Sequence, residues 1–180
     1  AQAQAKAKQE AAEAANRPHK ATLKSGNTFD GEWRNGIPWG KGVLTMVDGN
    51  TVEGHFQNGK RHGRCTVTTA LLTQEGGFVE GLSQGTHSIS YRNGTKFEVA
   101  MVDGKIKGVG ILQFPAGHKV RGTFLFLALD PDNKRGEIFK SHFKIDVALP
   151  SGFGDFVGMA ELEITREHVI LRLGDGREFQ

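Results

Sequence analysis

The chain has 180 residues, 37% of them hydrophobic and 24% charged, with a formal net charge of +3 and a pI near 9.1. That composition suits one soluble domain or a small array with a buried core, and the charge is too weak and too scattered for a nucleic-acid footprint. The lone Cys65 excludes an internal disulfide framework and a cysteine-based zinc cluster, no apolar run reaches the ~18 residues of a membrane span, and the start lacks the basic-then-apolar form of a signal peptide.

Residues 1–20 read as a helical spacer, because 1–16 are rich in Ala, Gln, Lys and Glu without a large apolar side chain, and Asn16 and Pro18 stop the helix. A helix without an apolar stripe buries nothing, so it serves as a stalk. Ala1 in place of Met predicts a cut or processed chain with an anchor or catalytic domain upstream.

From residue 21 to 124 glycine falls on a lattice. Gly26, Gly36, Gly49, Gly59, Gly81, Gly94, Gly104 and Gly117 mark alternating steps of 10 and 13 residues, with Leu72 standing near the one missing position. This period predicts one β-hairpin per repeat, and Asn35-Gly36, Asp48-Gly49, Asn58-Gly59, Asn93-Gly94 and Asp103-Gly104 supply the tight turns. Leu44, Val67, Ile89 and Leu112 form one apolar column of the return strands. Phe29, Val52, Phe97 and Val120 form a column of the outward strands, and Trp33, Phe56, Phe78, Met101 and Phe124 form another. Gly31, Gly54, Gly76 and Gly122 between them leave room for the flanking rings. Val99 breaks that glycine column, so the fourth repeat is expected to pack differently. Gln74 replaces the first aromatic of the third repeat, where a bend or longer connection is expected at 69–75. Cys65 reads as a small space filler between Gly42 and Gly110.

These residues resemble the MORN (membrane occupation and recognition nexus) repeat, Tyr-x-Gly-x-Trp-x-x-Gly-x-x-x-Gly-x-Gly followed by an Asp-Gly turn. FDGEWRNGIPWGKGVLTMVDG, starting at Phe29, keeps almost every element, and VEGHFQNGKRHGRCTV follows it with Val52 and Cys65 as departures. The resemblance implies a single-layer, twisted antiparallel sheet of stacked hairpins with no catalytic apparatus of its own. MORN arrays serve as scaffolds, dimerisation modules and parts of membrane-associated proteins, among them junctional membrane proteins, plant phosphoinositide kinases and a SET-type lysine methyltransferase.

Beyond Phe124 the register fails, and 125–180 reads as a C-terminal β cap or small β domain. Alternation at Phe143–Leu149, Ala160–Ile164 and Val169–Leu173 predicts three strands. The fold class is therefore all-β: an elongated antiparallel sheet of stacked hairpins, a β cap and a short N-terminal helix.

Candidate chemistry is thin. His55, His62 and His87 lack metal-ligand spacing, Asp130-Pro131-Asp132-Asn133 departs from a calcium loop at Lys134, and Glu161 and Glu163 lie on the polar side of a strand. No catalytic residue, cofactor or metal is expected. The best patch is basic: Lys60, Arg61, His62 and Arg64 in one repeat, with Lys105 and Lys107 two repeats on, form a candidate edge for anionic lipid. Phe29, Trp33, Trp39, Phe56 and Tyr91 are the candidate apolar interaction surface. The leading expectation is a non-enzymatic scaffold binding a partner protein or itself, with a membrane surface close by. The alternative is a regulatory or sensor domain of a larger, membrane-attached enzyme such as a kinase. The sequence names no compartment.

Overall fold

The computed structural model describes residues 13, 16–117, 119–128, 139–148, 155–164 and 169–179, with side chains at 13, 16–117, 119–122 and 170–178. The protein is all-β. Ten strands form one antiparallel sheet in strict chain order: β1 (His19–Thr22), β2 (Thr28–Arg34), β3 (Ile37–Thr45), β4 (Thr51–Gln57), β5 (Lys60–Thr68), β6 (Leu72–Val79), β7 (Leu82–Tyr91), β8 (Lys96–Val102), β9 (Lys105–Gln113) and β10 (Lys119–Ala128). A second sheet holds β11 (Phe139–Ala148), β12 (Asp155–Ile164), β13 (Val169–Leu173) and β14 (Glu178–Phe179). Most of the expected helical spacer lies outside the described residues, and β1 already begins at His19. β10 runs on past Phe124, pairing with β9 as far as Ala128 opposite Lys105, with an irregularity between Leu125 and Leu127.

The hairpins follow from their turn residues. At one edge of the sheet, here the distal edge, Asn35, Asn58, Glu80 and Asp103 adopt φ of 50 to 52°, and each precedes a glycine that is also left-handed. Two consecutive left-handed residues twist a two-residue turn in the sense of the strands it joins. Successive distal turns are tied together: the amides of Gly59, Gly81 and Gly104 donate to the carbonyls of Pro38, Arg61 and Ser83, one repeat earlier.

At the opposite, proximal edge the loops are longer, as where Met46 N–H donates to Asn50 O and Gly49 N–H returns to Met46 O. The third loop corrects the sequence expectation of a longer connection. Thr69 N–H donates to Leu72 O, and Thr69 Oγ1 accepts from the amides of Leu71 and Leu72. The connection is shorter by one residue and Leu72 opens β6, so no glycine is needed there.

The buried side chains share one face, called inner below. One row across the strands is Phe29, Leu44, Val52, Val67, Gln74, Ile89, Phe97, Leu112 and Val120, joined pair by pair by the register. The parallel row is Gly31, Gly42, Gly54, Cys65, Gly76, His87, Val99, Gly110 and Gly122. The Phe29 ring lies on this row: a Cβ at Gly42 would stand 2.3 Å from Phe29 Cζ, far inside contact distance. Phe29 also meets Trp33 and Phe56 edge-on at centroid separations of 5.2 and 4.9 Å, a favoured aromatic geometry. Val99 occupies the glycine row and is buried beside Phe97 of the same strand, so the fourth repeat holds both a ring and an aliphatic group where the first holds a ring over glycine.

The same space cannot hold both the Phe29 ring and a methyl at residue 42. Gly42→Ala should destabilise the fold by about 1–3 kcal/mol and Phe29→Ala by about 3–5 kcal/mol. Urea denaturation of the double variant should show a loss clearly smaller than the sum. Simple additivity would mean that the ring is not held by the missing Cβ.

Candidate interaction surface

The face opposite the core carries the polar side chains and is called outer below. At its distal edge, Arg34 pairs with Ile37, Gln57 with Lys60, Val79 with Leu82 and Val102 with Lys105. Ile37, Val79, Leu82 and Val102 are 45, 49, 49 and 42% exposed, so an apolar series stands in solvent along one line of turns. The residue after each turn leans over the next turn's glycine. A Cβ at Gly59 would lie 3.5 Å from Ile37 Cγ2, one at Gly81 3.9 Å from Lys60 Cβ, and one at Gly104 3.7 Å from Leu82 Cδ2. The edge therefore reads Ile37, Lys60, Leu82, Lys105, alternating apolar and basic at every second strand.

Farther in on the same face, Asp30, Glu53, Glu75 and Glu98 occupy equivalent positions on β2, β4, β6 and β8, in register through Val43, Thr66 and Ser88. A shallow cleft opens there between Arg64, Glu75, Thr86, Ser88 and Glu98, floored by Gly76 and Gly77. Its lining holds no histidine, cysteine or lysine. Arg64 donates through Nε and Nη2 to Glu75 Oε1 at 2.9 and 2.5 Å. Among the described residues, no group of three His, Cys, Asp or Glu side chains is placed to hold a metal ion.

The structure divides the predicted basic edge. Lys60, Lys105 and Lys107 are exposed near the distal turns, with Lys60 Nζ 3.2 Å from Glu80 Oε2. Arg61 instead lies with its guanidinium 4.8 Å from the centre of the buried Phe78 ring and donates to Gly81 O. Arg64 sits in mid-strand on Glu75, and His62 is half-buried.

The predicted apolar surface is corrected more deeply. Phe29, Trp33 and Phe56 are buried core residues and present nothing to a partner; the alternation that groups them is the signature of the inner face. Trp33 is held by His19, which stacks on it at 4.9 Å and accepts its Nε1–H through the backbone carbonyl. Trp39 is half-buried on the outer face under the Arg34 guanidinium. Tyr91 is half-buried at the end of β7, where burial pushes its phenol above the usual range.

One cluster escaped sequence reasoning. Gln74 stands in the aromatic row and His87 in the glycine row of the next strand, and both are buried. The imidazole lies over Gly76, where a Cβ would clash with the ring, and meets Phe78 edge-on at 5.2 Å. His87 Nε2–H donates to Gly77 O at 2.9 Å, Nδ1 accepts from Gln74 Nε2 at 3.0 Å, and Gln74 Nε2 also donates to Ser83 Oγ at 3.2 Å. These partners require the neutral imidazole, and burial lowers the His87 pKa below 6.5. The signal was present in two departures from the repeat on neighbouring strands: a polar group where a ring belongs and a ring where glycine belongs. Cys65, beside this cluster in the glycine row, is likewise buried, and burial raises its thiol.

The MORN repeat family model matches the chain at residues 29–51, 53–70 and 101–119, so the chain carries MORN repeats. These matches leave out 71–100, the stretch with Gln74, His87 and Val99. A comparison with curated proteins gives no match. Among solved structures, the chain is similar to the SAS-4 (dCPAP) TCP domain in complex with a proline-rich motif of Ana2 (dSTIL) of Drosophila melanogaster, at 13% identity over 90% of this chain and 88% of that one, with a TM-score of 0.35. A likeness that loose carries no weight for function.

His87 makes stability depend on pH. Its folded pKa lies below the ordinary value of 6.5, so the unfolded chain binds the extra proton, and the cluster's contribution is whole above pH 6.5 and lost as pH falls through that value toward the folded pKa. The slope is at most about 1.4 kcal/mol per pH unit. Urea midpoints between pH 5 and 7.5 should fall more steeply with acid for the wild type than for Gln74→Leu/His87→Leu, in which both polar groups are gone. Equal slopes would show that His87 takes up its proton without cost.

Proposed function

We propose that this MORN-repeat chain is a non-enzymatic interaction scaffold that holds a partner protein, or a second copy of itself, on its ten-stranded sheet. The observation that carries this reading is the outer face. The inner face is packed with the chain's own side chains, whereas outer positions recur on every second strand, about 10 Å apart at the usual strand spacing, and present a fixed series of charges and apolar groups. An array of that kind offers a long surface on which contacts are set by register. A membrane-surface role rests on the family resemblance and on the exposed Lys60, Lys105 and Lys107, and service as a regulatory or sensor domain of a larger enzyme rests on the resemblance.

The test is association without turnover. Light scattering and cross-linking mass spectrometry on the full chain should find either a saturable complex with a protein at fixed stoichiometry or a concentration-dependent dimer, with cross-links on outer-face or distal-edge lysines such as Lys41, Lys60 and Lys105. A chain that stays monomeric and retains no protein saturably would overturn the scaffold reading.

A further inference from the structure

We infer that the distal hairpin edge docks an extended, acidic segment of a partner protein whose apolar residues alternate with its carboxylates. The inference rests on the reading of the chain as a protein-binding scaffold and assigns that reading to one surface. Ile37 and Leu82 stand four strands apart, as do Lys60 and Lys105, and the two pairs interleave. At a strand spacing of about 4.8 Å, successive members of the series are about 9.6 Å apart, which an extended chain covers in about three residues. Val79 beside Leu82 and Val102 beside Lys105 widen the apolar contact at its centre. Lys107, exposed two residues along β9, adds positive charge at the same end.

The charge at the turns bears on the occupant. Lys60, Lys105 and Lys107 stand exposed along the strip, Lys60 beside Glu80, while the carboxylate row of Asp30, Glu53, Glu75 and Glu98 inland is interspersed with Lys20, Arg64 and Arg121. A narrow acidic segment fits along the strip, its apolar residues on Ile37, Val79, Leu82 and Val102, and its carboxylates on Lys60, Lys105 and Lys107. Exposed lysines supply orientation and rate, and the half-exposed aliphatics supply the area removed from water.

The probes are fluorescein-labelled peptides of repeated Leu-Ser-Ser-Glu-Ser-Ser, the same peptide with Lys for Glu, one of equal length repeating Leu-Ser-Glu-Ser, and vesicles containing phosphatidylserine. Anisotropy with the full chain should show saturable binding of the first peptide, about tenfold tighter than of the other two. Val79→Ser/Leu82→Ser and Lys105→Glu/Lys107→Glu should each weaken it by about tenfold, and Glu53→Gln should leave it unchanged. No preference for the acidic peptide, or no effect of the edge variants, overturns the proposal. So does vesicle binding, or a dimer, abolished by the same variants while the peptide stays unbound. If a partner captured by the wild-type chain is held equally by Val79→Ser/Leu82→Ser, the edge assignment fails and the scaffold reading stands; if the wild-type chain captures no partner, the scaffold reading itself fails.

Discussion

A ring can lie flat on a β-sheet only where the backbone beneath it has no Cβ. That constraint organises the molecule. Phe29 rests on Gly31 and Gly42, the neighbouring aromatics meet it edge-on, and the inner face closes there because Gly31, Gly42 and Gly54 keep that part of the row free of side chains. Where the row is filled, as at Cys65, His87 and Val99, the group that fills it is buried: Cys65 and His87 follow strands whose first ring is replaced, by Val52 and Gln74, whereas Val99 lies beside the ring of Phe97.

The third repeat shows the cost of such an exchange. A glutamine in the aromatic row brings a polar group into a dry layer, which is tolerable only if each donor and acceptor is met. His87 Nδ1 and Ser83 Oγ accept from the Gln74 amide nitrogen, and Gly77 O receives the imidazole proton. The bulge between Gly76 and Gly77 recurs at the equivalent place in the other three hairpins, so the polar cluster is fitted into the repeat's own backbone without altering it.

The hairpin order, the turn positions and the core columns were legible because glycine spacing and period-two alternation report backbone requirements directly. The three C-terminal strands were legible for the same reason, with β14 too short to leave a pattern. Which face those columns occupy was not. Phe29, Trp33 and Phe56 look equally suited to a core or to a binding surface, since alternation gives the side and not what covers it. The short Thr69–Leu72 loop was missed because a hydroxyl replaced the expected glycine as the turn-forming group. The distal series of Ile37, Lys60, Leu82 and Lys105 was half seen, as charge, because the residue after a turn becomes a neighbour of the next turn only once the strands are side by side.

The bonds between successive distal turns have a further consequence. In an antiparallel ladder the N–H and C=O groups point alternately both ways and their dipoles cancel. The amides of Gly59, Gly81 and Gly104 all point toward the preceding repeat, and the carbonyls of Pro38, Arg61 and Ser83 all point toward the following one. Along this edge the peptide dipoles add, so the array has an electrical head and tail, and a chain lying on it would find its two directions unequal in energy.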